Sequence, residues 1–222
     1  MSSEKGTIVP LAWPKTGAII EGKWYDTPMK WVGIVKNDMW PVGHAALLLI
    51  DHSNGEVHYM DFGRYHTPYQ KGRVRDKFTD PDVTVYTKAI VKNDVVVNIK
   101  EIFTELCTTV ATHGEGYLKA GVKVLPSFNK AFSKAKSMQN KGAIYYGPIK
   151  AGGTNCSRFV AQVAAASDVG LRKKIMLKLP YTLSPSPSSN CYIINDYGYY
   201  YIFKDGELIK KNNKVNLLKP SK

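Results

Sequence analysis

One cysteine and one histidine in this chain sit where a thiol can be activated. The run Gly152-Gly153-Thr154-Asn155-Cys156 delivers a cysteine to the start of an apolar stretch, Phe159, Val160, Val163 and Ala164. That recurrence is helical spacing with one buried face. Thr154 or Asn155 is the expected N-cap, because a short polar side chain there accepts from an orphan N–H. A thiol in the first turn lies at the positive end of the helix dipole, which lowers its pKa below the free value of about 8.5. The same N–H groups can receive a developing oxyanion, with Asn155 and Ser157 as the positioning neighbours. The competing reading is an inert cysteine on a core helix, the commoner state of a lone cysteine.

A base for that thiol lies about a hundred residues upstream. Gly43-His44 opens a nearly continuous apolar run through Ile50-Asp51, too short for a typical helix. Ser53-Asn54-Gly55-Glu56 carries the Asn-Gly turn signal, and Val57 to Gly63 reads as the return strand. The expectation is a β-hairpin whose first strand is buried on both faces. Asp61 falls near the end of the return strand that folds back beside His44. A carboxylate in such apolar company is costly without a partner, and a histidine on the neighbouring strand would serve. Taken singly, His44 reads as a hydrogen-bonded core residue and Asp61 as a strand-end cap. His58 is the other candidate for a third member, although it alternates to the face opposite Asp61. His52 flanks the turn, His66 lies in the following loop, and His113 suits helix capping.

The rest of the chain must position these groups. With 222 residues, 44% of them hydrophobic, it can bury one core of ordinary size. No run approaches the roughly 18 apolar residues of a membrane span. The first residues lack a basic region followed by an apolar one, so no signal peptide is expected. Three cysteines, Cys107, Cys156 and Cys191, form neither a disulfide framework nor CxxC zinc spacing. A cytoplasmic setting with no metal and no cofactor is therefore expected. The net charge of +13 comes mainly from dispersed lysines, with density at 130–141 and beyond 204. That suits solubility and loose anion attraction, whereas arginine-rich helices or RNA-binding aromatic strands are missing, so specific nucleic-acid binding is not expected.

In chain order, residues 1–40 read as short strands and loops, with Trp31 to Val35 the best strand. Arg64, Tyr65, Arg73 and Arg75 are candidates for holding a substrate carboxylate or phosphate. Anchoring of the arginines' loop by Asp76, Asp80 or Asp82 is the preferred alternative. Val83 to Tyr86 alternates as a strand. Asn98 is expected to cap an amphipathic helix with Ile99, Ile102, Phe103, Leu106, Cys107, Val110 and Ala111 on one stripe, ending at Gly114 as the left-handed residue. A second helix runs from Ser127 to Met138, and Gly142 to Ile149 leads into the cysteine loop as strand or turn. Prolines within 183–189 argue for a loop. Cys191 to Ile194 and Tyr197 to Lys204 read as closing strands, the latter ending in an Asp205-Gly206 hairpin turn, with a frayed basic tail from Lys210.

A Gly-His strand, a return strand with a polar residue, helices, then a cysteine at a helix N-terminus: this order resembles the NlpC/P60 papain-like superfamily in its circularly permuted form. Gly43-His44 matches the superfamily's histidine strand, Asn155-Cys156-Ser157 its cysteine helix, and Asp61 the position of the third polar residue. The strings GHAALLLID, YMDFGRY, GRVR and TNCSRFV also resemble a Bacteroidetes-type group of bacterial proteins. The resemblance implies one α+β domain over 1–222, a central antiparallel sheet or half-barrel packed against helices. Its parts would be a histidine hairpin (43–63), a helical segment (98–140), a cysteine helix (153–168) and a C-terminal hairpin (190–209). It further implies a thiol hydrolase or acyltransferase; the sequence leaves the oligomeric state open, with a monomer favoured. Cys156 would be the nucleophile, His44 the base and Asp61 its orienter, on a peptide, muropeptide or acyl-lipid amide, ester or thioester. The alternatives are a non-catalytic binding protein on the same scaffold, or a basic module for anionic lipid or nucleic acid.

Overall fold

The computed structural model describes residues 4–19, 39–40, 43–112, 114–147, 152–178 and 185–212. Nine strands make one sheet. They are β1 (Gly6–Trp13), β2 (His44–Asp51), β3 (Val57–Gly63), β4 (Lys71–Arg75), β5 (Leu118–Ala120), β6 (Lys123–Leu125), β7 (Ile144–Tyr145), β8 (Tyr199–Lys204) and β9 (Glu207–Asn212). The order is β7-β4-β3-β2-β1-β5-β8-β9, with β6 also paired to β1, and every ladder is antiparallel. Two small ladders, Ala18–Ile19 with Met39–Trp40 and Val91–Lys92 with Val95–Val96, stand apart. Five α-helices occur among the described residues: α1 (Ile99–Thr108), α2 (Phe128–Gln139), α3 (Cys156–Ala166), α4 (Leu171–Lys178) and α5 (Pro187–Ile194). None of them is long and apolar enough to cross a membrane.

The sheet is covered on both sides, which is why β2 is apolar without alternation. Ala45, Leu47 and Leu49 join Met60, Phe62 and Val74 beneath α2 and α3. Ala46, Leu48 and Ile50 face the other way, with Tyr59, onto Ile99, Ile102, Phe103 and Leu106 of α1. Each residue from Ala45 to Ile50 is fully buried. Central β1 tolerates Pro10 because its neighbour changes there: β6 pairs with Gly6 to Ile8 and β5 with Leu11 and Ala12. The Pro10 carbonyl accepts from Gly121 N–H at 3.2 Å in that corner. On a strand the N–H points the same way as its own carbonyl, so the donor that proline lacks falls at a break in the ladder.

Several elements depart from the sequence expectation. No strand forms over Val83 to Tyr86: Val83 closes a 3₁₀ turn, Pro81–Val83, whose Pro81 presets the first φ, and 84–86 have no regular structure. Helix α1 stops at Thr108, short of Thr112, and Gly114 is not in the left-handed region. A run of threonines ends it: Thr108 Oγ1 donates to the Thr104 and Glu105 carbonyls, Thr109 Oγ1 to Glu105, and Thr112 Oγ1 to Leu106. Val110 is consequently exposed. Cys191 to Ile194 is helical, because Ser186 caps the Ser189 N–H at 3.1 Å and Pro187 occupies the first turn. The C-terminal hairpin is β8–β9 alone, turned by Asp205 and Gly206, both at positive φ, and it keeps Lys210 to Asn212 in a strand. Helix α4 was not foreseen. Trp31 to Val35, His113 and the tail from residue 213 lie outside the described residues.

Candidate active site

Cys156 is the first residue of α3. Asn155 is extended (φ −139°, ψ 178°) and its side-chain oxygen accepts from Arg158 N–H at 2.8 Å, so the cap fixes where the helix begins. Upstream, Thr154 N–H donates to the Tyr145 carbonyl and Gly147 N–H to the Thr154 carbonyl, each at 2.9 Å, which ties the cysteine loop to the sheet edge. Sγ accepts from the backbone N–H groups of Ala45 and Ser157 and is hydrogen-bonded to His44. The Ser157 hydroxyl is engaged elsewhere, accepting from Asn190 Nδ2 at 3.1 Å.

His44 is the first residue of β2, opposite Trp13 at the end of β1. Gly43 precedes it at φ +70°, and a side chain there would lie 3.1 Å from the Trp13 carbonyl and 3.3 Å from Pro14 Cα, so the tight entry requires glycine. The Trp13 ring stacks on the imidazole, centroids 5.8 Å apart. Asp61 pairs in register with Ala46. It is therefore the diagonal neighbour of His44 on one sheet face, and its Oδ2 lies 3.4 Å from Nε2. That leaves the other ring nitrogen for the thiol.

Asp61 has no exposed surface, and its charge is met by donors rather than water. Arg75, directly across the β3–β4 ladder, grips both carboxylate oxygens, Nε to Oδ1 at 3.0 Å and Nη2 to Oδ2 at 2.8 Å. The hydroxyls of Tyr65 (2.7 Å) and Tyr59 (3.1 Å) also donate to Oδ2.

The electrostatics follow from this geometry. Burial alone would push the His44 imidazole down, but hydrogen bonds to Asp61 and Cys156 overcome it and raise the ring to about 10. Burial opposes the Cys156 thiolate, yet His44 and the two backbone N–H donors hold the thiol below its ordinary value. Burial also disfavours the Asp61 charge, and His44 and Arg75 reverse that, keeping the carboxyl well below the usual range. The other thiols go the opposite way: burial pushes Cys107 up to about 11 and Cys191 up to about 12.

Cys156, His44 and Asp61 thus come together from α3, β2 and β3. Of the remaining sequence candidates, Asn155 serves as the cap and Ser157 contributes its backbone N–H. Arg64 lies over the Tyr146 ring at 4.5 Å. Tyr65 donates to Asp61, and Arg73 forks onto Asp80 at 2.6 and 2.5 Å. His58 packs on Phe128 and Phe132, away from Asp61. Arg75, read from sequence as a substrate-binding or loop-anchoring arginine, instead holds Asp61. Two residues at the site were missed from sequence, Tyr59 and Tyr146. Tyr59 carried a signal, its two-residue spacing from Asp61 on one strand. Tyr146 carried none: it enters from the loop before α3, stacked on Phe62, with its hydroxyl hydrogen-bonded to Cys156. Among the described residues, no group of three or more His, Cys, Asp or Glu is arranged to hold a metal ion.

A central antiparallel sheet that presents a histidine from a strand start to a cysteine at a helix N-terminus fits a papain-like fold. The chain belongs to the TseH-like family of Type VI secretion system effectors, which matches residues 8–171. The crystal structure of the Type VI secretion system effector TseH is similar in fold, with a TM-score of 0.59 at 17% identity, covering 94% of this chain and 99% of that one. No curated protein matches the sequence.

Proposed function

We propose that this protein is a thiol hydrolase or acyltransferase of the circularly permuted NlpC/P60 type, acting on an amide, ester or thioester of a peptide, muropeptide or acyl lipid. The observation that carries the reading is the His44 imidazole, hydrogen-bonded to Cys156 on one side and held by Asp61 on the other. The Cys156 thiolate attacks the substrate carbonyl carbon, and the electron pair moves onto oxygen. The Cys156 backbone N–H and the Tyr146 hydroxyl, which is hydrogen-bonded to Cys156, would receive that oxyanion. As the intermediate collapses, the bond to the leaving group breaks and His44 gives that group its proton, leaving a thioester on Sγ. Water or an acceptor then attacks the thioester, His44 takes its proton, and the thiolate returns. Asp61 keeps the ring oriented throughout.

The chain would work as one domain and as a monomer. Its kinship with secreted effectors supports action in the compartment into which it is delivered, with the cytoplasmic setting applying before export. The test is a panel of muropeptide, peptide and acyl-ester substrates, with mass spectrometry of the protein for a trapped acyl group. The expected result is turnover and an acyl adduct on Cys156, both lost in Cys156→Ala without change in thermal unfolding. Turnover retained by Cys156→Ala contradicts the proposal.

A further inference from the structure

The groups behind Asp61 form a chain that reaches the surface. Tyr65 lies on the β3–β4 loop, which passes through left-handed backbone at His66 (φ 47°) and Gln70 (φ 61°). Its ring lies 3.5 Å from the Arg75 guanidinium and its hydroxyl 2.7 Å from Asp61 Oδ2. Its carbonyl accepts from Arg73 Nε at 2.8 Å, and both Nη atoms of Arg73 are engaged by Asp80. Each nitrogen of Arg73 therefore already donates inside the protein, as does the Tyr65 hydroxyl. Arg75 is braced in turn by the Ala111 carbonyl at 3.0 Å.

We propose that Tyr65 and Arg73 are positioning residues for His44 and not substrate ligands: Arg73, braced on Asp80, fixes Tyr65, and Tyr65 with Arg75 locks the Asp61 carboxylate in the orientation that holds His44 against Cys156. The inference rests on the thiol-hydrolase reading and deepens it. The charged and titratable groups facing Asp61 and His44 are Tyr59 from β3, Tyr65 from the loop, Arg75 from β4 and Cys156 from α3, with Tyr146 beyond the thiol. Arg75 and Asp61 together are close to neutral. Their action on His44 is accordingly directional, and it depends on carboxylate orientation more than on net charge. Oδ2 faces four donors, of which His44 at 3.4 Å is the most distant, so a small rotation is enough to lose it.

The experiment is the rate of Cys156 alkylation by iodoacetamide against pH, in the full chain as wild type, Tyr65→Phe and Arg73→Gln. Iodoacetamide is neutral and small, so a residue that only binds substrate leaves its rate untouched. Tyr65→Phe keeps the ring on Arg75 and removes only the hydroxyl, which guards against loss of the fold. The expected result is fast wild-type alkylation below pH 7, with both variants shifted up by about one pH unit, a loss of rate that approaches roughly tenfold below the wild-type midpoint. Folded variants whose profiles superimpose on a fast wild type overturn the positioning role and leave the hydrolase reading standing. A wild type with ordinary thiol reactivity overturns the hydrolase reading itself.

Discussion

Cys156 is buried and hydrogen-bonded to His44, with Asp61 and Arg75 behind the ring, so the immediate neighbours decide which of the pair holds the proton. The imidazole is raised to about 10 from an ordinary value near 6.5, and the thiol is lowered. On the proposed reading, the thiolate–imidazolium pair persists from the depressed thiol value up to about 10. Activity should hold through neutral pH and fall only near pH 10, where the imidazolium proton that the leaving group needs is lost. A pH–rate profile checks this; an upper limb near 6.5 would refute it. Asp61 invites a second prediction. Arg75→Met leaves a fully buried carboxylate without its main partner, at a cost of about 3–5 kcal/mol, measurable by urea unfolding. Cys156 and His44 were legible in the sequence because a capped helix start and a Gly-His strand start are local patterns. Tyr146 was not, since only the fold brings its loop over the thiol.

At the scale of elements, the start of α3 sets the position of Sγ, and Asn155 sets that start. Asn155→Ala should cost about 1 kcal/mol of stability and slow Cys156 alkylation far more than that loss implies, read by thermal unfolding beside the alkylation rate. Elements with strong local signals were legible: the β2–β3 hairpin joins an unbroken apolar run to an Asn-Gly turn, and α2 and α3 combine helical periodicity with a capping residue. Others were hidden by residues with two meanings. Pro10 reads as a strand breaker, yet β1 crosses the sheet centre because its missing donor falls at a ladder break. Pro187 and the aromatic, β-branched residues after it read as loop then strand, and instead open α5. Thr108, Thr109 and Thr112, which lie off the predicted α1 stripe, end that helix early through bonds to its own carbonyls.

The whole molecule is a sheet sealed on both faces, with the site at the edge of the seal. Leu47 is fully buried in the layer shared with α3. Leu47→Ala should therefore destabilise by about 2–5 kcal/mol. Unfolding and loss of fast Cys156 alkylation should follow one denaturant curve, because the layer that holds the core also holds the thiol. The net charge of +13 acts at this scale too. Binding to anionic vesicles should weaken steeply with salt and be equal in wild type and Cys156→Ala, a comparison that separates surface attraction from the site. The charge was plain in the sequence. The covering of both sheet faces was implied by the unbroken apolar run of β2, but which helices cover which face required the topology.

The most direct measurement is iodoacetamide alkylation against pH, mapped by peptide to Cys107, Cys156 and Cys191, in wild type and in His44→Ala. Rapid reaction at Cys156 well below pH 7, with Cys107 and Cys191 silent and the advantage lost without His44, is the predicted result. Equal reactivity of the three thiols, or a Cys156 profile indifferent to His44, would contradict the thiolate–imidazolium pair and with it the catalytic reading.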